Sequence, residues 1–190
     1  MTMKKTIGML SILALVGAMT AGSPSQVGTV ISFAQEKVTT IDLGEYFFKA
    51  DGKDLKQTSL VIPVELKKVD EEEVEAEDIE LVFDNSKAAV EHEIMSPLFT
   101  AVDMMRVEIL DKSDNVIAEM ESSAVHEILL KVGWKAHVIF KVGHTIVESL
   151  DDGAKLDFEI SCHVGHKAGG QANDHYKAGM RGTIELVKKS

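Results

Sequence analysis

The side chains with the most distinctive chemistry lie near the end of the chain. The sole cysteine, Cys162, is followed by His175 and then Met180, in the run Asp174-His175-Tyr176-Lys177-Ala178-Gly179-Met180-Arg181-Gly182-Thr183. His92 supplies a further imidazole upstream. A thiolate, two imidazoles and a thioether form a donor set suited to copper. Sulfur donors favour Cu(I), imidazole serves both oxidation states, and a trigonal His, Cys, His plane with a weak axial Met compromises between their geometries. Such a compromise leaves little to rearrange when one electron moves. A lone cysteine forms no internal disulfide. The alternative is a buried core cysteine, and the nearby His and Met weigh against it.

The elements that must position these residues read as strands. Val38–Leu43, Ser59–Leu66, Ile79–Phe83, Val90–Met95, Ala136–Val142, Leu156–Cys162 and Thr183–Val187 are short and rich in Val, Ile and Phe. Lys155-Leu156-Asp157-Phe158-Glu159-Ile160 alternates polar and apolar residues, so one face is buried. Gly133 and Gly153 mark turns. This pattern predicts an all-β antiparallel sandwich. Rigid strands carrying His92 and Cys162 suit a preorganised metal centre. Residues 96–127 exceed what a simple sandwich needs. They read either as an added hairpin, Val107–Leu110 and Val116–Met120 around Asp111–Asn115, or as a helix over Leu98–Leu110. Met95, Met104, Met105 and Met120 fall in or beside this region. They read as core filler, with a methionine patch for Cu(I) as the alternative.

Two stretches resemble the cupredoxins, or blue copper proteins. In Val82-Phe83-Asp84-Asn85-Ser86-Lys87-Ala88-Ala89-Val90-Glu91-His92-Glu93-Ile94, a strand ends in Asn and re-enters carrying a His. In Leu156-Asp157-Phe158-Glu159-Ile160-Ser161-Cys162, a strand delivers the Cys, and the His175–Thr183 run returns a His and a Met before the last strand. The resemblance covers roughly residues 79–95 and 132–188. It implies Greek-key order and one type 1 copper ion held by His92, Cys162, His175 and Met180. It also implies hydrogen bonds from Asn85 tying the two ligand loops together, and a C-terminal His near the surface as the electron exit. Gly179 and Gly182 would allow a tight turn around Met180. The departure is the twelve residues between Cys162 and His175. They contain His163 and His166, and His166-Lys167-Ala168-Gly169-Gly170 echoes His175-Tyr176-Lys177-Ala178-Gly179, as a local duplication would leave it. Only the second copy carries the Met, which favours His175, with His166 as the alternative ligand. His163 follows the Cys directly and would point to the opposite face if the strand continued. His126, His137 and His144 read as surface or structural.

The 190 residues, 45% hydrophobic, suffice for one domain with a core. Residues 1–34 read as a secretory signal, or an N-terminal anchor, with linker. Lys4 and Lys5 precede the apolar run Ile7–Ala18, and small residues at Thr20/Gly22 or Ser32/Ala34 suit cleavage. The resemblance implies that residues 35–190 form the copper-binding domain. The expected location is periplasmic or otherwise extracytoplasmic, with membrane attachment only if the first segment stays. The net charge of −11 argues against nucleic acid and suits a basic partner or solubility alone. The acidic run Asp70–Asp78 reads as a solvated loop.

The leading expectation is an exported one-electron carrier, not an enzyme, serving a redox protein such as a cytochrome or terminal oxidase. The alternative is copper handling: carriage, storage or resistance. A nitrite reductase or multicopper oxidase needs a second copper centre, and the sequence has no His-x-His pair. A binuclear site with two bridging cysteines is excluded by the single Cys, and no phosphate loop or nucleotide fingerprint occurs.

Overall fold

The computed structural model describes residues 31–32, 38–68, 74–168 and 171–189. Most of the expected signal segment and acidic residues 70–73 lie outside the described residues. In chain order the strands are β1 (Ile31–Ser32), β2 (Val38–Gly44), β3 (Phe47–Ala50), β4 (Lys53–Asp54), β5 (Leu60–Val64), β6 (Leu66–Lys68), β7 (Val74–Ala76), β8 (Ile79–Asp84) and β9 (His92–Met95). After a 3-10 turn (Pro97–Thr100) come β10 (Val102–Leu110), β11 (Val116–Ser122), β12 (Glu127–Leu130) and β13 (Lys135–Val142). Helix α1 (His144–Ser149), β14 (Lys155–Ser161), β15 (Gly165–Ala168), β16 (Gln171–Asp174), helix α2 (His175–Ala178) and β17 (Arg181–Lys188) complete the fold.

Alternation decides which face of each strand turns inward. Ile79, Leu81 and Phe83 of β8 are buried, as are Ala136, Val138, Phe140 and Val142 of β13. From the other sheet, Leu60, Ile62 and Val64 of β5 and Ile184 and Leu186 of β17 meet them in one core. Each fully buried Leu, Ile or Phe contributes about 1.5–3 kcal/mol. The sheets run β1-β5-β17-β14-β9-β12 and β11-β10-β13-β8-β2-β3-β4.

The expected sandwich is present, and its sheets are mixed. β1 with β5, β5 with β17 and β2 with β8 pair in parallel; the other ladders are antiparallel. A parallel neighbour requires a long crossover. The chain leaves β2, passes through the opposite sheet at β5, and returns at β8 running the same way. Alternation fixes which face is buried but carries no strand direction. The strand expected over Ser59–Leu66 is likewise two, β5 and β6, of which β6 pairs with β7 in a separate hairpin.

Residues 96–127 form the hairpin rather than the helix. Ser96 caps the 3-10 turn by accepting from Leu98 N, and the chain then enters β10 directly. Arg106 sits opposite Glu121 and Val107 opposite Met120. At the tip, Asp111 Oδ1 accepts from Ser113 N (2.8 Å) and Asn115 N (3.0 Å). Asp114 takes a positive φ of 60°, a conformation that aspartate tolerates better than most residues.

Candidate metal centre

Strands β9 and β14 are neighbours, yet they share a register pair only at Met95–Ser161. Ser96 pins them on one side, donating from Oγ to Glu159 O at 2.8 Å. Beyond Met95 and Ser161 the chains diverge. Glu93 N–H, which a continuing ladder would aim at a carbonyl, donates instead to Cys162 Sγ at 3.4 Å. The divergence makes room for three side chains between the sheets.

Those three are His92, Cys162 and His175. Cys162 Sγ lies 3.6 Å from His92 Nδ1 and 3.3 Å from His175 Nδ1, and one donor atom from each residue falls within 4.8 Å of the others. The imidazole centroids are 5.0 Å apart. His92 and Cys162 are fully buried and His175 is 1% exposed. Two donors each about 2 Å from a shared ion at trigonal angles stand roughly 3.5 Å apart, so the separations fit a metal held between them. Soft sulfur with two imidazoles in a dry pocket fits copper. Burial pushes the Cys162 thiol up, opposed by the N–H groups of Glu93 and Val164 that point at the sulfur. A bound cation would reverse that balance and hold a thiolate.

Met180 is fully buried and tied through its backbone to the segments of Cys162 and His175. Its N–H donates to His175 O at 2.8 Å, and its carbonyl accepts from Cys162 N at 3.2 Å. Helix α2 supplies the turn. Asp174 caps it, accepting from Tyr176 N and Lys177 N, and Gly179 ends it with φ of 101°. A side chain would strain that left-handed turn. Gly182 serves differently: a Cβ there would stand 2.6 Å from Leu55 Cβ, because Thr183 N–H reaches Leu55 O at 3.1 Å and draws the two segments together.

The long interval between Cys162 and His175 folds on itself. β15 and β16 pair antiparallel, and His175 N–H donates to Val164 O at 3.2 Å. The insert is thus a hairpin whose base is closed, so its length does not separate Cys162 from His175. His166 lies on β15 opposite Asn173. The cluster among the described residues contains His175. No sequence signal identified this hairpin beyond the echo between its two halves.

One expectation from the resemblance is corrected. Asn85 is fully buried and does tie the His92 loop, but to the β12–β13 turn rather than to the second ligand loop. Its Nδ2 donates to Val90 O, Leu130 O and Lys131 O at 3.1, 3.1 and 3.0 Å. Leu130 pairs with His92 in the adjacent ladder, which explains the target. His175, which the resemblance implies near the surface, is 1% exposed. Tyr46, from the β2–β3 turn, packs edge-on against its ring at 5.4 Å and 87°. Sequence reasoning missed Tyr46; its turn lies some 130 residues from His175, and only the fold brings them together.

The other histidines have separate surroundings. His163 is exposed, because β14 ends at Ser161, and stacks on Tyr176. Its backbone N–H donates to the Glu93 carboxylate. Glu93 is pushed up to about 7, first by burial and then by the hydrogen bond and charge of Glu127, with the His163 N–H opposing. His137 lies 3.4 Å from both Glu80 and Glu108 on the outer face of its sheet. His144 Nδ1 lies 3.7 Å from Asp103, and His126 is exposed before β12. Met105 and Met120 share the face of Val107, Met105 in the core and Met120 exposed, and Met104 lies on the opposite face.

Two facing sheets with a buried His, Cys, His cluster between two diverging strands make the fold cupredoxin-like. Similarity to solved structures is distant. The McoA multicopper oxidase from Aquifex aeolicus is 10% identical, with TM-score 0.47, over 83% of this chain and 30% of that one. Fet3p, a multicopper oxidase that functions in iron import, is 9% identical, with TM-score 0.45, over 82% and 28%. Reduced auracyanin from Roseiflexus castenholzii is 13% identical, with TM-score 0.36, over 83% and 100%. The chain therefore spans less than a third of the two oxidases. No protein-family model matches the chain, and no curated protein does. At such identities and TM-scores the likenesses carry nothing about function; the description as cupredoxin-like rests on the chain's own sheets and cluster. No helix among the described residues is long and apolar enough to cross a membrane.

Proposed function

We propose that this protein binds one copper ion through His92, Cys162 and His175, with Met180 as the weak fourth ligand, and serves as a one-electron carrier outside the cytoplasm. The observation that carries this reading is the buried triangle of Cys162 Sγ and two imidazole Nδ1 atoms. Bound copper would supply the redox change. The chain's own residues do the rest. β9 and β14 fix two ligands on strands, Asp174 and Gly179 set the loop that returns His175 and Met180, and N–H groups of Glu93 and Val164 stabilise charge on sulfur. The core around them excludes water. Export is supported by the charged, then apolar, N-terminus, and the partner would be a redox protein such as a cytochrome or terminal oxidase. No second copper centre is implied by the sequence, so no enzymatic step is proposed.

The test is optical and EPR spectroscopy of the full chain after adding Cu(II), beside Cys162→Ala. An intense visible thiolate-to-copper band, absent from the variant, is expected. A wild-type protein that takes up copper without this band overturns the electron-carrier reading.

A further inference from the structure

The two imidazoles beside Cys162 are held in different ways. His92 lies on a strand, paired with Leu130 in the ladder of β9 and β12. His175 lies on the short turn of α2 and is tied there through its backbone. Its N–H donates to Val164 O at 3.2 Å, and its carbonyl accepts from Met180 N at 2.8 Å. Neither bond fixes the side chain, whose two torsions could swing the ring away from Cys162 without disturbing the backbone. His175 is nevertheless 1% exposed, and its Nδ1 stands 3.3 Å from Cys162 Sγ. Tyr46 lies against the imidazole, with ring centroids 5.4 Å apart and planes 87° from parallel. Perpendicular aromatic rings at this distance attract through their quadrupoles, so the contact favours one orientation of the imidazole.

The fold directs Tyr46 to that place. Gly44 and Phe47 are the last register pair of β2 and β3, so Glu45 and Tyr46 form a two-residue turn. Of the two neighbouring aromatic residues, Phe47 is engaged elsewhere. Its ring fills the space over Gly44, where a Cβ would collide with it, and Lys49 Nζ stands 4.1 Å from its centroid. Tyr46 is half-buried, between the buried His175 and the surface. Further along the same segment, Leu55 N–H donates to Phe48 O at 2.9 Å, and Leu55 O accepts from Thr183 N at 3.1 Å. These bonds fasten β3 beside the start of β17 and hold the turn against the loop of His175 and Met180.

We propose that Tyr46 is a positioning residue for the metal site. Its ring holds the His175 imidazole toward Cys162 and closes the outer side of the cluster, so that metal and small reagents reach Cys162 only when Tyr46 moves aside. The inference rests on the reading of the chain as a copper electron carrier and names what would retain the ion. An electron carrier keeps its metal through every redox cycle, whereas a copper-handling protein must release it. A preorganised donor set behind an aromatic cover serves retention, and loss of the ring would shift the site toward exchange. The effect needs the ring and not the hydroxyl, because the contact is between rings.

The first experiment needs no copper. The metal-free full chain is treated with methyl methanethiosulfonate, which places a methylthio group on the thiolate of Cys162, the sole cysteine, and releases methanesulfinate. Mass spectrometry follows the rate. Tyr46→Ala should react roughly tenfold faster than wild type, equivalent to about 1.4 kcal/mol and near the upper end of an aromatic pair's contribution. Tyr46→Phe should react at the wild-type rate. Val138→Ala trims the core on the opposite sheet, controls for reaction through general unfolding, and should also react at the wild-type rate. An unchanged rate in Tyr46→Ala, an equal rise in Tyr46→Phe, or a comparable rise in Val138→Ala overturns the proposal. The second experiment uses copper-loaded, reduced protein and bathocuproine disulfonate, a Cu(I) chelator. Cu(I) should pass to the chelator roughly tenfold faster from Tyr46→Ala and at the wild-type rate from Tyr46→Phe. Equal rates from wild type and Tyr46→Ala overturn the proposal. The optical band of the wild-type chain, read separately, decides the copper reading, and the thiol rates stand without it, so failure of one conclusion is distinguishable from failure of the other.

Discussion

The ligand end of the sandwich and the β10–β11 hairpin are made from similar strands and end differently. At the ligand end, β9 and β14 part company, and the space is filled from several directions. Cys162 and His92 are fully buried, Tyr46 lies against His175, and Leu55 presses on Gly182. In the hairpin, β11 is exposed along almost its whole length, with Val116 52%, Ile117 46% and Met120 49% exposed. β11 is the edge strand of its sheet, with β10 as its one neighbour. The difference teaches that an apolar, alternating strand becomes core only when another element lies across it. Glu119 and Glu121 keep this open edge charged, which discourages pairing with another strand.

The comparison predicts steep costs at the ligand end and shallow ones in the hairpin. The largest stability effect is expected from Asn85→Ala. One amide serves three carbonyls around the His92 loop, and their loss should cost about 3 kcal/mol. A lower urea midpoint at constant slope checks this; a midpoint unchanged from wild type would mean water replaces the amide and the ligand end is less sealed than described. Gly182→Val should cost about 2 kcal/mol, because the new Cβ meets Leu55 at 2.6 Å and the Leu55 backbone at 3.2 Å. Thermal unfolding reads that loss, and tolerance would show that the 53–58 segment can back away.

The smallest effect concerns the hairpin tip. Asp111 is held below its ordinary range by the N–H groups of Asn115 and Ser113 and by the Asn115 side chain. A carboxylate lowered on folding adds stability at neutral pH that is lost as pH falls below about 4. Asp111→Ala should therefore raise amide exchange at Ser113 and Asn115 near neutrality and flatten its acid dependence, while leaving exchange at Ile94 and Ile160 unchanged. Faster exchange at those core positions would join two regions that the structure keeps apart.

Much of the fold was legible because alternation is a local property. β2, β8, β9, β13, β14 and β17 fall where Val, Ile and Phe alternate or cluster, within a residue or two at each end. The short strands β3, β4 and β12 were not legible. Four residues such as Glu127-Ile128-Leu129-Leu130 give too little pattern, and β12 exists because it can pair with β9. In the region 96–127, periodicity left helix and hairpin open. The Asp111–Asn115 turn and the pairing of Val107 with Met120 decide for the hairpin.

The sequence by itself determined the donor chemistry: one Cys, a small set of histidines, and a Met five residues beyond His175. It also determined the strands that carry His92 and Cys162, since both kinds of information reside in residue type and short spacing. Tertiary structure alone brought His92, Cys162 and His175 together, closed the β15–β16 insert at Val164 and His175, set Tyr46 against the His175 ring, and turned His163 outward onto Tyr176. Those outcomes depend on which strands become neighbours and where a ladder stops. That is settled by packing between residues far apart in the chain, for which a single sequence holds no local sign.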